Sequence, residues 1–305
     1  MSDRARISEF TPATDIQAGD IGYALRGSQD LSRDDYTAIR ALIGIALGKT
    51  FKFDGTTGTR IELDGLNAGI LKGLDMTWVS TTSLSVAAGF IADSTNADLI
   101  ALRSALTKTT SAWAAGTAAG GIDTGAIAAN TLYAWYLIKN PTTGAVDVTF
   151  STKLTTPALA SGWTLYRRIF FARTDGSSQW VKMFQKGRQF HYDTKVVNLN
   201  AGTPASANRI LVTTVNPPGA EGILAIELLQ TGATTTYLDA GWTSLSDAAA
   251  AITNAILSTV AAATRVRSVF RIQIDASRQF YYRVSTATGV SVTILELGWI
   301  DNLVP

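Results

Sequence analysis

Leu132-Tyr133-Ala134-Trp135-Tyr136-Leu137-Ile138, then Asn140-Pro141-Thr142-Thr143-Gly144, then Val146-Asp147-Val148-Thr149-Phe150, is the stretch whose pattern decides the fold class. Both apolar runs are short and rich in aromatic and β-branched residues, and Pro and Gly punctuate the gap, which spells a β-hairpin. A second hairpin is expected from Thr164 to Arg173 and Gln179 to Phe184, around Thr174-Asp175-Gly176-Ser177. There the Asp-Gly pair is expected to supply the positive φ angles of a tight primed turn. Ile100, Leu102, Ser104 and Leu106 alternate with Ala101, Arg103 and Ala105, and further strands are expected at 188–193, 208–215, 221–230, 268–275, 279–286 and 290–300. Period-two patterning with a turn every ten or so residues is the signature of a sandwich or barrel.

Outside this β body the pattern changes. Residues 1–30 read as extended chain with turns and cannot bury enough surface to fold alone. Ser32-Arg33-Asp34-Asp35 then opens one α-helix by a capping-box pattern, and Gly48 sits where a C-cap would. On this helix Tyr36, Ile39, Ile43 and Ala46 step by three, four and three, which is an a/d seam. Residues 1–75 contain no other element able to cover that seam, so it reads either as a face packed on its own domain or as a short parallel bundle between identical chains. Ala112 to Ala129 reads as a Gly/Ala loop, mobile or an exposed contact loop, with little to pack except Trp113. Ser246 to Thr264 is Ala-rich, with Ile252, Ile256, Leu257 and Val260 at helical spacing, and a short helix is expected there. Gly-Trp recurs at 162–163, 241–242 and 298–299 without a constant period.

Composition removes several kinds of chemistry. The chain has 305 residues, no Cys, one His and a charged fraction of 16%, with Thr, Gly and Ala filling the deficit. Without Cys there is no thiolate nucleophile, disulfide framework, Cys-ligated zinc or iron–sulfur cluster. A single His excludes a His-rich metal site, so no metal and no cofactor are expected. A net charge of +2 gives no global basic field for nucleic acid. No apolar run is long enough to span a bilayer, and Met1 to Arg6 lacks a signal-peptide h-region, so cytoplasmic synthesis without membrane insertion is expected.

Catalytic constellations are equally sparse. In Arg188 to Asp193, alternation puts His191 and Asp193 on one strand face and Phe190 and Tyr192 on the other. A His–Asp pair could orient a base for a serine, but no Gly-x-Ser-x-Gly elbow accompanies it. Carboxylates such as Asp93, Asp98, Asp123, Asp147, Asp175 and Glu296 are scattered at strand ends and turns, where Asp most often bonds the backbone, and nothing selects a glycosidase pair. No catalytic residue is assigned. Aromatic residues are the most suggestive set: Trp and Tyr faces beside polar groups stack on sugars, and Arg bridges carboxylated glycans. Trp113 and Trp242 are the candidate glycan contacts.

The opening Ile7-Ser8-Glu9-Phe10-Thr11-Pro12-Ala13-Thr14 with Ala18-Gly19-Asp20-Ile21 resembles the N-terminal segment of many tailed-bacteriophage fibre and virion proteins. Gly121-Ile122-Asp123-Thr124-Gly125 leading to Ala128 through Ile138 is similar to a β domain of tail-fibre-like and head-fibre-like proteins. So are Val146 to Ser151, Gly162-Trp163-Thr164, Arg167-Arg168-Ile169, Thr174 to Ser177 and Leu297-Gly298-Trp299-Ile300-Asp301. The resemblance implies a non-enzymatic structural protein located in the virion, usually a homotrimer, that contacts other virion proteins (capsid, tail or baseplate) or host cell-surface polysaccharide. Residues 1–75 would then form the particle-attachment and trimerisation region, with Tyr36, Ile39, Ile43 and Ala46 at its interface. Residues 76–305 would form a mainly β body, a jelly-roll-like β-sandwich, taken as one unit or as sub-domains 76–195 and 196–305. A carbohydrate-binding module of an adhesin and a polysaccharide depolymerase are the competing expectations.

Overall fold

The computed structural model describes residues 71–302 except 97, 203–207 and 260–263, together with the backbone of two short paired strands, Phe51–Lys52 and Glu62–Leu63. The expected helix with Tyr36, Ile39, Ile43 and Ala46 lies outside the described residues. The described chain is mainly β, and no helix among the described residues is long and apolar enough to cross a membrane.

The central hairpin forms as its pattern requires. Leu132–Lys139 pairs antiparallel with Val146–Ser151, and its other edge pairs with Leu165–Arg173. Its turn is held by Asn140, whose Oδ1 accepts from the amides of Thr142 (3.0 Å) and Thr143 (3.1 Å). All but the last residue of Leu132–Lys139 are buried, which explains why that run is continuously apolar rather than alternating.

The second hairpin differs from expectation. After Leu165–Arg173 a single bridge, Thr174 to Trp180, closes the turn, and the next strand is Met183–Lys186. The left-handed residue is Ser178 (φ 60°), not Gly176. The cause is Asp175, whose carbonyl accepts from Ser178 N (3.2 Å) and whose Oδ1 accepts from the amides of Ser177 and Gln179. That pattern is a type I turn followed by a bulge. Asp275 builds the same turn, with Arg278 at φ 62° and Gln279 N donating to the Asp275 carboxylate. Asp-x-Ser-x-Gln at 175–179 and 275–279 is therefore one local solution used twice.

Twelve strands form one sheet. From one end the order is Leu165–Arg173, Leu132–Lys139, Val146–Ser151, Ala119–Ile122, Leu106–Ala112, Ser83–Val86 and Met76–Ser80. It continues through Met183–Lys186, Gln189–Gly202, Val290–Ile300, Glu221–Gln230 and Thr264–Gln273. Ala119–Ile122 runs parallel to both neighbours, so the expected Gly/Ala loop contains a buried strand. Its glycines are a packing requirement: a Cβ on Gly120 would stand 1.9 Å from Ala112 O, and one on Gly121 2.5 Å from the Phe150 ring.

The sheet serves two cores. In the first, Trp135 stacks between Phe150 (4.8 Å) and Phe170 (5.2 Å), and Trp180 meets Phe150 and Tyr133 edge-on. Phe170 lies 6.3 Å from Phe190, and Arg168 grips Asp301 with two bonds (2.6 and 3.2 Å), so the first strand of the order meets the ninth and the end of the tenth strand of its own sheet. A three-stranded sheet, Leu71–Gly73, Gly89–Ala92 and Leu99–Leu102, adds Ile91 and Ile100 to this core. In the second core a four-stranded sheet, Ile210–Thr213, Gln279–Val284, Thr236–Gly241 and Leu257–Thr259, packs its Leu238, Phe280, Tyr282 and Val284 on Leu224, Ile226, Val292 and Ile294 of the large sheet.

The expected helix at 246–264 is absent from the described part of that span. Residues 246–256 are irregular chain with one turn at 252–254, and Leu257–Thr259 is a strand paired with Thr236–Gly241. Leu257 is buried by that pairing while Ile252 is 76% exposed, so the apolar spacing marks no helical face. Cross-strand partners outweigh a helix too short to be stable by itself, even where the run is Ala-rich.

Trp135 has aromatic contacts on three sides, so Trp135→Ala is expected to cost about 3–5 kcal/mol. Urea unfolding should show a lower midpoint with an unchanged m-value; a loss under about 1 kcal/mol would mean that the ring stack is not a principal support of the first core.

Candidate functional site

Trp242 follows directly on Thr236–Gly241, where the chain leaves the four-stranded sheet. Leu245 N donates to Trp242 O (3.0 Å), and the tight turn leaves the indole 44% exposed beside exposed Leu245. The turn is bolted from beneath. Arg209 lies with its guanidinium 3.8 Å from the Tyr281 ring centroid and donates to the carbonyls of Thr243 and Ser246. Asp247 is shared between Arg209 (3.2 Å) and Arg283 (2.8 Å), and Thr243 Oγ1 donates to Asp275 (2.8 Å). Tyr281 donates to Asp239 (3.0 Å), and burial, reinforced by that carboxylate, pushes its hydroxyl pKa up. The backbone of a turn held by this many bonds has little freedom left to lose on binding. A flat, partly exposed apolar ring on a turn that also carries Thr243 and Asp247 suits a sugar, which presents C–H faces and hydroxyls together.

Trp113 is placed differently. It is half-buried against the first core, meets Trp163 edge-on at 5.3 Å, and donates its Nε1 hydrogen to Val148 O (3.1 Å). Beneath it Lys108 and Asp147 form a buried ion pair at 2.8 Å, with the ammonium 5.5 Å from the indole centroid. Lys108 Nζ also donates to the carbonyls of Ala114 (2.7 Å) and Gly116 (3.0 Å), and Asp147 accepts from Gly116 N (2.7 Å). Burial lowers the Lys108 pKa against the opposing effect of Asp147. These bonds pin residues 114–116 and make Trp113 part of a wall. The two tryptophans therefore belong to different packing units and do not converge.

His191 and Asp193 share the outer face of Gln189–Gly202, while Phe190 and Tyr192 are buried. Asp193 pairs with Lys182 (3.5 Å), and His191 stands directly across from Phe184, which is 54% exposed. Among the described residues no group of three or more His, Asp or Glu could hold a metal ion. Several scattered carboxylates serve the backbone: Asp93 accepts from the amides of Thr95 and Asp98, and Asp123 from Ala158. Sequence reading missed exposed Phe184 and the Arg209 clamp. Phe184 carried a usable signal, because alternation with buried Met183 puts it on the outer face.

Between the two cores lies a buried polar junction. Glu296 accepts from Asn198 Nδ2, Thr214 Oγ1 (3.1 Å) and Val215 N (3.0 Å), and Arg278 donates to Thr214 O (2.7 Å). Tyr192 and Asn216 complete the cluster. No family model and no curated protein matches the chain.

Burial raises the Glu296 carboxyl above its ordinary 4.5, opposed by the bonds from Asn198, Val215 and Thr214 and by the charge of Arg173. With a raised folded pKa, the folded state holds the proton more tightly than the unfolded chain. Its contribution is complete below 4.5 and is lost as pH rises through the raised value. The stability of the parent minus that of Glu296→Gln should therefore grow as pH falls from neutrality toward 4.5, read by urea unfolding. A difference that shrinks on acidification would reverse the assigned direction.

Proposed function

We propose that the chain is a non-enzymatic structural protein of a tailed-phage or phage-like particle, a fibre, spike or decoration. It is synthesised in the host cytoplasm, held in the virion through residues 1–75, and presents the 76–305 body to the host surface or to neighbouring subunits. One observation carries most weight: segments that bear the family resemblance, far apart in sequence, are joined in space. Arg168 of Arg167-Arg168-Ile169 holds Asp301 of the terminal motif, and Trp299 of that motif stacks on Phe190 at 4.9 Å. Val146–Ser151 pairs with Leu132–Lys139 and with Ala119–Ile122, which carry Leu132 to Ile138 and Gly121-Ile122 of the matched residues. Motifs conspiring in one packing unit support a shared domain rather than chance likeness. The two facing sheets of the second core support the finer, sandwich-like reading of the body.

The mechanism is geometric. Three copies joined at Tyr36, Ile39, Ile43 and Ala46 raise effective concentration, so weak single contacts become avid. Trp242 is the host-facing contact we assign. Its exposure also favours a second reading, a carbohydrate-binding module of an adhesin, whereas Trp113 is the weaker glycan candidate because its indole N–H is already bonded. A depolymerase remains a third reading, tested by reducing-end release from host capsule.

Sedimentation of the full-length chain at micromolar concentration should give a trimer, dissociated by Ile39→Asp with Ile43→Asp; a monomeric parent would remove the trimer. Trp242→Ala should weaken adsorption to host-envelope polysaccharide by about tenfold or more, because indole stacking carries much of such an interface. Unchanged adsorption would remove Trp242 from the contact.

A further inference from the structure

Thr264–Gln273 ends the twelve-stranded sheet and pairs along its whole length with Glu221–Gln230. Among the described residues, no backbone group of 264–273 bonds across the opposite edge. On the outer face, Arg265, Arg267, Val269 and Arg271 stand opposite Leu229, Glu227, Ala225 and Ile223. Alternate strand residues repeat at roughly 6.8 Å, so three guanidinium groups form a ladder with one apolar step.

One carboxylate bonds to this ladder from the neighbouring strand. Glu227 gives Oε1 to Arg265 (3.2 Å) and Oε2 to Arg267 (2.7 Å), while the two Arg side chains are 61% and 47% exposed. Glu221 shares that face, diagonal to Arg271, so three positive groups meet two carboxylates and the excess is one. Val269 is 57% exposed and continues a cross-strand row through Ala225 and Leu295 to exposed Val197.

We propose that this edge takes up an extended acidic polypeptide strand, which joins the sheet and sets carboxylates against Arg265, Arg267 and Arg271 with an apolar side chain by Val269. Charge complementarity selects the occupant. A second copy of the same edge would set Arg against Arg, which is the usual way an edge repels itself. A row of open N–H and C=O groups is matched in register by a peptide backbone, and not by a sugar or phosphate chain. Directly opposed side chains in such a pair lie close enough for each carboxylate to meet its guanidinium.

The test uses the full-length protein and a fluorescein-labelled peptide that alternates glutamate with valine and threonine. Anisotropy should show salt-sensitive binding, weakened about tenfold by Arg271→Glu, a substitution at an exposed side chain that leaves the Glu227 pairs intact. Amide hydrogen exchange should slow across 264–273 on binding and stay constant in Gln279–Val284. Equal binding of a lysine-for-glutamate peptide, or binding without slowed exchange, would overturn the proposal. Binding of polyglucuronate or duplex DNA in preference to the peptide would assign the ladder to a polyanion and overturn it as well. Absence of any binding would leave the arginines as edge guards, again against the proposal.

Discussion

Lys108 and Asp147 are both withdrawn from water, and the strands that carry them are separated by a third, Ala119–Ile122. Desolvating two such ions costs several kcal/mol each, and their attraction repays this only when every remaining donor and acceptor is engaged. Here the remaining partners are the carbonyls of Ala114 and Gly116, the amide of Gly116, and the amide of Val148, which donates to Asp147 Oδ1. The pair therefore dictates where the chain between Leu106–Ala112 and Ala119–Ile122 must run, and so permits two successive parallel neighbours in an otherwise antiparallel region. Gly120 and Gly121 follow from the same constraint, because a side chain on either would push this three-strand crossing apart. Breaking one member of such a pair typically costs about 3–5 kcal/mol, whereas the intact pair is worth little as net stability. Its role is to specify the arrangement.

The aromatic stack depends on that crossing. Phe150 lies under Gly121 and against Trp135, and Trp135 passes the contact on to Phe170. Phe170 reaches Phe190, whose ring stacks on Trp299 at 7°. One continuous run of rings thus connects the central hairpin to the final strand, and Arg168 with Asp301 closes it at the rim. Beyond Trp299 the interior turns polar at Glu296, and the second core begins. Aromatic rings are more numerous on one side of the junction, while on the other Phe280 and Tyr282 sit among Leu, Ile and Val, and a single sheet carries both cores.

Much of this was legible because strand burial writes itself as local pattern. Glu221–Gln230, Gln279–Val284 and Val290–Ile300 stand within two residues of where alternation and turn chemistry put them. His191 and Asp193 face outward as alternation required. Errors arose where the deciding partner is distant. Ala119–Ile122 reads as loop because small residues carry no periodicity, yet smallness is what lets it insert between two strands. The 246–264 span carries helical spacing, but Leu257 answers to Leu238, a cross-strand partner that no local window contains. Gly176 was the obvious left-handed residue, and the Asp175 carboxylate moved that role to Ser178 by fixing the amides on either side of it.

The candidate surfaces divide along the same line. Trp113 and Trp242 are equivalent on composition, each an indole near a turn. Their fates diverge through partners remote in sequence: Val148 O and Trp163 hold Trp113 to a wall, while Arg209, Asp275 and Asp247 support the turn beneath Trp242 and leave its ring in solvent. A contact residue needs both exposure and a rigid mount, since an ordered turn forfeits little entropy on binding. Sequence can nominate the aromatic ring, but the mount is assembled from at least three segments, and charge that looked scattered turns out to be spent on building it. That is how a chain with few charged residues can still present a defined surface: at this turn the paired ions hold the backbone in place, and the neutral ring of Trp242 stays exposed.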